Sequence, residues 1–421
     1  MTKSFKSNDP IDSPLAPQRR RLLAGSASAL AAVGLAGVGR AAQASTPAAG
    51  PTAAPAAPRP LPTYVGAKDA SALIVHTSST IETKRSAFGA GLLTPVQQLY
   101  VRNNLPAPAP SILEQREDWS VAMEGVKNPR AITLRELKSL GVETLPMVLQ
   151  CSGNGRGFFP SKPAGTPWLV GAAGCVVWTG VPLRTVVEEL GGLAAGMRFI
   201  TGTGGEQLPP GIDPLSVMVE RSVPLKALGD ALLAWELNGE PIPLAHGGPL
   251  RLVFPGYSGV NQIKYVKRVA FTSEETQAKI MSHGYRISLP GEKADPSQPS
   301  VLEMGIKSWI NTPLPEHGEL RAGRHVVQGV AFGGTEGVRR VEVSIDGGKT
   351  WREARFVGPD LGKFAWRQFA LNVTLPAGQH RLVSRAVDNA GRAQPEQRFE
   401  NVSGYNNNSW ADHGVTVTVA A

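Results

Sequence analysis

The sequence predicts two domains, an α+β domain followed by an all-β immunoglobulin-like sandwich. Three observations carry this. Between about Pro95 and Phe271 short apolar strands mix with short helical repeats. From Val326 onward apolar and polar residues alternate with period two, the pattern of half-buried strands. A Pro-, Ser- and charge-rich stretch, Pro290 to Pro299, separates the two patterns. The domains are thus expected over residues 63–292 and 293–421. A length of 421 residues supports two cores once a leader and a linker are set aside.

The N-terminus reads as that leader. Gln18-Arg19-Arg20-Arg21-Leu22-Leu23 precedes a small apolar run, Ala24 to Gly39, and then Ala42-Gln43-Ala44. Charged, apolar and small-residue regions in this order make an export signal over residues 1–44, and the paired arginines suit the twin-arginine route. The run is too short and too weakly apolar to span a membrane. Periplasmic location follows as an expectation. Residues 45–62, rich in Ala, Pro and Thr, read as a disordered linker.

Within the first domain, Thr133-Leu134-Arg135-Glu136 is a capping box that opens a short helix, with Leu134, Leu137 and Leu140 on one face and Gly141 as its stop. Leu183, Val186, Val187 and Leu190 recur at helical spacing and end at Gly191-Gly192. Leu250 to Phe254 is a strand closed by Pro255-Gly256. In the second domain, strands are expected over Val326–Phe332 and Val338–Ile345. Asp346-Gly347-Gly348 is a hairpin turn and Trp351 starts the return strand. Phe364–Val373, Arg381–Val387 and Val415–Val419 complete the sandwich. No catalytic cluster stands out there, so packing or dimerisation is its expected role.

Charge excludes some functions. The formal net charge is +9, from 43 basic and 34 acidic residues. Part of the excess belongs to the leader, and no basic block is interleaved with aromatics, so nucleic acid is not the expected partner. A mild positive field suits an anionic substrate or an acidic partner.

Only two cysteines occur, Cys151 and Cys175. Cys151 ends an apolar run, Leu145 to Leu149, and opens the polar loop Ser152-Gly153-Asn154-Gly155-Arg156. Backbone N–H groups and an arginine beside it favour a thiolate, the form that ligates a metal or attacks an electrophile. Cys175 sits in apolar surroundings and reads as a small buried hydrophobe, with a Cys151–Cys175 disulfide as the lesser alternative. Neither belongs to a haem-attachment motif, so one-electron transfer calls for a separate haem protein.

Five segments together resemble the sulfite oxidase family of molybdenum-pterin enzymes. They are Tyr100-Val101-Arg102-Asn103-Asn104-Leu105-Pro106, Leu149-Gln150-Cys151-Ser152-Gly153-Asn154, Trp178-Thr179-Gly180-Val181-Pro182-Leu183, Leu237-Asn238-Gly239-Glu240-Pro241, and His246-Gly247-Gly248-Pro249-Leu250-Arg251 running on to Gln262-Ile263-Lys264-Tyr265. Ser282-His283-Gly284-Tyr285 and Tyr405-Asn406-Asn407-Asn408-Ser409-Trp410 resemble a branch of it, the molybdenum subunits of periplasmic sulfite (sulfane) dehydrogenases in thiosulfate oxidation. The resemblance implies an α+β molybdopterin-binding domain of sulfite oxidase type, a molybdenum-molybdopterin cofactor and an immunoglobulin-like dimerisation domain.

It also implies roles. Cys151 is the metal ligand. Arg102, Asn103, Asn104, Cys151, His246, Arg251, Gln262, Ile263 and Lys264 contact the pterin, Ile263 through its backbone, with Ser222 a weaker candidate. Tyr285 lies beside the reacting oxygen, and Arg102 also faces substrate. Basic side chains suit the anionic pterin phosphate through charge-assisted hydrogen bonds. Trp168 and Trp178 are expected in the core. Asn104 stands where many animal and plant members have histidine. Gly333-Gly334-Thr335-Glu336-Gly337 lacks the substrate arginine of free-sulfite oxidases, and its carboxylate would disfavour a small dianion there.

The expected function is oxidation of sulfite, or of sulfane sulfur on a carrier protein, with electrons passing to a c-type cytochrome subunit. The assembly implied is a homodimer within a hetero-oligomer, away from membranes. A sulfoxide-type reductase and a secreted two-domain binding protein are the alternatives.

Overall fold

The computed structural model describes residues 59–421. The expected leader and residues 45–58 of the expected linker lie outside them. Among the described residues no helix is long and apolar enough to cross a membrane.

Two five-stranded sheets build the first domain. One runs Glu240–Pro241, Leu232–Leu237, Ala173–Pro182, Glu143–Gln150, with Arg251–Val253 also paired to Leu232–Leu237. The other runs Arg130–Thr133, Ser120–Glu124, Arg268–Thr272, Phe199–Thr203, Glu220–Pro224, and its Arg268–Thr272 and Ser120–Glu124 pair is parallel. A three-stranded sheet, Leu73–Thr77, Thr80–Thr83 and Val101–Arg102, lies ahead of them in sequence. Helices are few and short. Leu134–Ser139 begins at the full capping box expected of Thr133 and Glu136. Leu183–Glu189 turns its Leu183, Val186 and Val187 inward and stops before Gly191 and Gly192, both at positive φ.

The second domain is one continuous strand path folded over itself. Its order is Lys307–Thr312, Gly323–Phe332, Arg367–Leu375, Arg352–Val357, Val338–Ser344, Gly378–Asp388, Val415–Ala420 and the short Leu320–Arg321. Lys307–Thr312, at one end, packs across Gly378–Asp388, which makes two layers. Between them lie Ile310, Val327, Val341, Val343, Phe369, Leu382 and Val417. The Asp346 hairpin is wider than a two-residue turn, because the return strand starts at Arg352. The Asp346 carboxylate accepts from the amides of Lys349 and Thr350.

The domains interlock. Residues 289–297 are exposed, but the chain then returns to the first domain. The Ser258 amide donates to the Leu302 carbonyl at 2.8 Å and the Met304 amide to Gly256 at 2.9 Å. A shared cluster contains Val148 and Cys175 from one domain and Trp309, Phe332 and Trp366 from the other.

Candidate active site

Cys151 follows the last residue of the strand Glu143–Gln150, and its amide donates to the Ala172 carbonyl on the neighbouring segment at 2.9 Å. The sheet therefore fixes the backbone up to the thiol and releases it there. The thiol sits at a cavity lined also by Tyr100, Arg102, Asn103, Asn104, Ser152, Glu206, His246, Arg251, Gln262, Lys264 and Tyr285. Of the residues anticipated from sequence, all but Ile263 and Ser222 meet here.

Those two are placed otherwise. The Ile263 side chain packs in the main core and its carbonyl accepts from Leu252 at 2.9 Å. Ser222 Oγ lies 2.8 Å from Thr201 Oγ1 and accepts from the Thr276 amide at 2.9 Å, so its hydrogen bonding is internal. Gln262 lines the cavity but its carboxamide is committed elsewhere. It accepts from the Phe254 amide and donates to the Phe254 and Tyr257 carbonyls, which holds the turn behind the site.

Positive charge dominates. Arg251 is buried, stacks over Trp178 at 5.0 Å, and donates to the His246 carbonyl at 2.8 Å. Lys264 donates to Asn103 Oδ1 and to the Ala245 carbonyl. His246 Nε2 accepts from the Lys68 ammonium at 2.8 Å. Burial, then the Lys68 charge, hold the His246 imidazole well below its usual range. Burial does the same to Lys264, helped by Arg251, and brings Lys68 down to about 7 and Arg251 to about 10. The one cavity carboxylate, Glu206, is pushed up to about 7 by burial. Such crowding of cations in a low-dielectric space is costly in the protein alone and favourable once an anion enters.

Unmet polar atoms point the same way. Arg251 Nε, Ser152 Oγ and Glu206 Oε2 are buried and have no partner among the described residues. Buried polar groups are normally paired. Three unpaired ones lining a single cationic cavity fit a ligand that brings both negative charge and ring amides, as a pterin phosphate does.

At the mouth, Asn104 ties two side chains together. Its Oδ1 accepts from Arg102 Nη2 at 2.7 Å and from the Tyr285 hydroxyl at 3.1 Å. Tyr285 holds φ +53°, a conformation a bulky residue adopts only when its surroundings impose it. Those surroundings are a four-layer stack. Tyr285 lies on Tyr405 at 5.1 Å and 16°, Arg221 covers the outer face of Tyr285 at 5.8 Å, and Arg156 covers Tyr405 at 5.3 Å.

The sequence reading needs three corrections. Arg156 does not face the thiol; it donates to the Ser403 and Thr166 carbonyls at 2.8 and 3.0 Å. Glu336 does not approach the site. With Thr335 it lines a separate cavity beside Lys226, Asp230, Tyr257 and Glu303, so its charge gives no reason to exclude a small dianion. The second domain does reach the site, through Tyr405. Cys175 and both tryptophans match expectation. The two cysteines are free, and burial pushes the Cys175 thiol up to about 12. Trp168 and Trp178 are fully buried. Lys68 and Glu206 escaped the sequence reading, since each is a lone charged residue in an unremarkable context.

Comparison with known proteins bears on this geometry. Residues 106–280 match the oxidoreductase molybdopterin binding domain, and residues 298–419 match the Mo-co oxidoreductase dimerisation domain. The chain is 32% identical over 349 residues to NADH nitrate reductase 2 of Phaseolus vulgaris, covering 76% of this chain but only 39% of that protein. It is 32% identical over 321 residues to sulfite oxidase of Gallus gallus, covering 72% of this chain and 68% of the relative. Sulfite oxidase of Arabidopsis thaliana is 29% identical over 357 residues, with 78% and 89% covered. Among solved structures, the sulfane dehydrogenase SoxCD from Paracoccus pantotrophus aligns with a TM-score of 0.68 at 26% identity, over 82% of this chain and 88% of that one.

Proposed function

The chain belongs to the sulfite oxidase family of molybdopterin oxidoreductases, and from that premise we propose that it is a dehydrogenase oxidising sulfite or carrier-bound sulfane sulfur. The observation that carries the reading is the single cavity in which Cys151 meets a cluster of buried cations and three unpaired polar atoms. In this reading Cys151 is the protein ligand of molybdenum. Arg251, His246, Lys264 and Asn103 hold the pterin. When bound, the molybdenum-pterin group supplies oxygen-atom transfer and two-electron redox chemistry.

The chain's own residues do the rest. Lys68 donates to His246 Nε2, which leaves the imidazole neutral with its other nitrogen as the donor. Arg102 offers a planar guanidinium at the mouth, suited to a sulfur oxyanion in a two-point grip. Asn104 sets the angle of that guanidinium and of the Tyr285 phenol together. The phenol, tied to Asn104 Oδ1 through its one proton, would hold a proton donor and acceptor at the mouth of the cavity. The Tyr405 stack keeps the ring from rotating away.

Electrons leave, in this proposal, to a c-type cytochrome partner, and the assembly is a homodimer within a hetero-oligomer in the periplasm, reached by the twin-arginine route. The leader motif, the dimerisation-domain match and the likeness to SoxCD support these points. Reduction of an oxyanion is the competing reading, and one observation favours it. The nitrate reductase alignment covers 76% of this chain, more than residues 1–297 make up, so the likeness to a reductase runs on into the second domain.

Molybdenum-loaded protein assayed with sulfite, a persulfidated carrier protein and nitrate separates these. Cytochrome c reduction with either sulfur donor supports the proposal; turnover with nitrate and a reduced dye alone overturns it. Cys151→Ser is expected to fold normally and lose turnover by at least about a thousandfold, since the reacting centre loses its protein ligand. Sulfur-dependent cytochrome reduction in that variant at the native rate refutes Cys151 as ligand.

A further inference from the structure

Lys307 begins the first strand of the sandwich domain, yet its side chain leaves that domain. Its ammonium donates to the Asn154 carbonyl in the Cys151 loop at 3.1 Å, and the residue is 2% exposed. It is one of three donors that reach this loop from the second domain, besides the bond Arg156 makes outward to the Ser403 carbonyl. The Asn406 amide donates to the Ser152 carbonyl at 2.9 Å, and Asn407 Nδ2 to the Gly155 carbonyl at 3.0 Å. The other two are neutral. A grip alone does not call for charge.

The charge is the anomaly. Among the described residues Lys307 makes no ion pair. The two acidic groups that act on it are Asp412 and, more weakly, Cys151, and the Asp412 carboxylate is already held by Arg398 at 2.8 Å and by Asn407 at 2.9 Å. Burial pulls the Lys307 ammonium down to about 7 against both. An unmatched cation this deep is a large expense unless an anion faces it in the working protein. The loop it holds carries, three residues before Asn154, the thiol proposed above as metal ligand.

We infer that Lys307 is a positioning residue for the metal centre, the counter-charge that the second domain supplies to the anionic group held by Cys151. This rests on the Cys151 reading. It gives the dimerisation domain a direct electrostatic part in the site. A cation there favours retention of an anionic group and stabilises its more reduced, more negative form.

The test uses full-length protein from a molybdenum-competent host, with Lys307→Met, Lys307→Gln and Lys307→Arg. In Lys307→Met the cofactor-free protein is expected to melt higher than wild type, because an unmatched charge is gone. Its molybdenum and pterin content falls several-fold, and in the loaded fraction the metal's first reduction potential moves down. Lys307→Arg restores content and potential. Lys307→Gln keeps a donor for the Asn154 carbonyl without the charge, so it folds even if Lys307→Met does not, and it too shows the lower potential. Wild-type content and potential in Lys307→Gln overturn the inference and leave only a clamp. Wild-type protein that binds no molybdenum-pterin overturns the reading beneath it instead.

Discussion

Arg221 and Arg251 are two buried arginines of one domain, and burial brings both down to about 10. Their partners differ. Arg221 spends its fork on the protein: Nε to Asn261 Oδ1 at 3.1 Å, Nη1 to the Ile280 carbonyl at 2.9 Å, Nη2 to Ser300 Oγ at 2.8 Å and the Val301 carbonyl at 3.1 Å. Arg251 makes one good bond, to the His246 carbonyl, and a long one of 3.4 Å to Gln262; its Nε has none. Burial alone therefore does not mark a site. Unspent polar atoms gathered in one cavity do: single ones such as Arg367 Nε and Trp309 Nε1 occur elsewhere, but three meet beside Cys151.

The comparison breaks or holds on two substitutions. Arg221→Met strands the Ile280 and Val301 carbonyls and Asn261 at once. It is expected to cost about 3–5 kcal/mol in the cofactor-free protein by chemical denaturation, the sum of several buried acceptors left unpaired at about 1–3 kcal/mol each. A loss below about 1 kcal/mol would make Arg221 as dispensable to the fold as Arg251. Arg251→Met removes a poorly paired charge, so cofactor-free stability stays within about 1 kcal/mol of wild type. Its effect falls on the ligand, where a charge-assisted bond of about 1.5–3 kcal/mol corresponds to a tenfold to hundredfold loss of retained pterin.

The same distinction explains what the sequence disclosed. Strand alternation in the second domain and the Thr133–Glu136 box were legible because each is set by neighbours a few residues apart. Cys151 was legible because an apolar run ended at it. Arg251 stood out as a guanidinium inside an apolar strand. Lys68, Glu206 and Lys307 were not legible: the sequence around each is ordinary, and only the fold brings Glu206 to the cavity wall, Lys68 to His246 and Lys307 to the Cys151 loop. Arg156 shows the converse. Five residues from the thiol in sequence, it points into the carbonyls of Ser403 in the second domain and Thr166 in the first, since a 3₁₀ turn over Arg156–Phe158 carries it away. The Tyr405 motif belonged to the family pattern, but its work as a stacking partner appears only when the C-terminal segment is laid against Tyr285.

Titration sharpens the contrast between spent and unspent groups. Lys68 is depressed from 10.5 to about 7, so the folded state prefers it neutral. Its full stabilising effect is present above 10.5 and is lost as pH falls towards 7. Glu206 is raised to about 7, so its effect is present below 4.5 and already lost by pH 7. Above neutrality Lys68 acts together with Lys264 and Lys307, whose ammoniums burial also depresses. The cofactor-free protein should gain stability from pH 7 to pH 9 by at least about 2 kcal/mol, the share of Lys68 alone at 1.36 kcal/mol per unit. In loaded protein the ligand's negative charge returns Lys68 towards its ordinary range, and the gain should flatten. Parallel melting curves for the two forms across that interval would show that the cations are not matched by the ligand.

The smallest effect is the cleanest control, since it compares two buried hydroxyls. Ser222 Oγ is bonded to Thr201 and to the Thr276 amide, whereas Ser152 Oγ, in the cavity wall, has no partner among the described residues. Ser222→Ala should cost the cofactor-free protein about 1–2 kcal/mol, because it also leaves an amide unpaired. Ser152→Ala should change that stability by less than about 0.5 kcal/mol or raise it slightly, since an unpaired polar atom is lost. Loading reverses the order: Ser152→Ala then gives up a bond to the ligand, while Ser222→Ala, whose hydroxyl never faced the cavity, keeps its wild-type pterin content. If denaturation of the two cofactor-free variants gave equal losses, unpaired buried atoms would not identify the binding surface here, and the case for Arg251 would weaken with it.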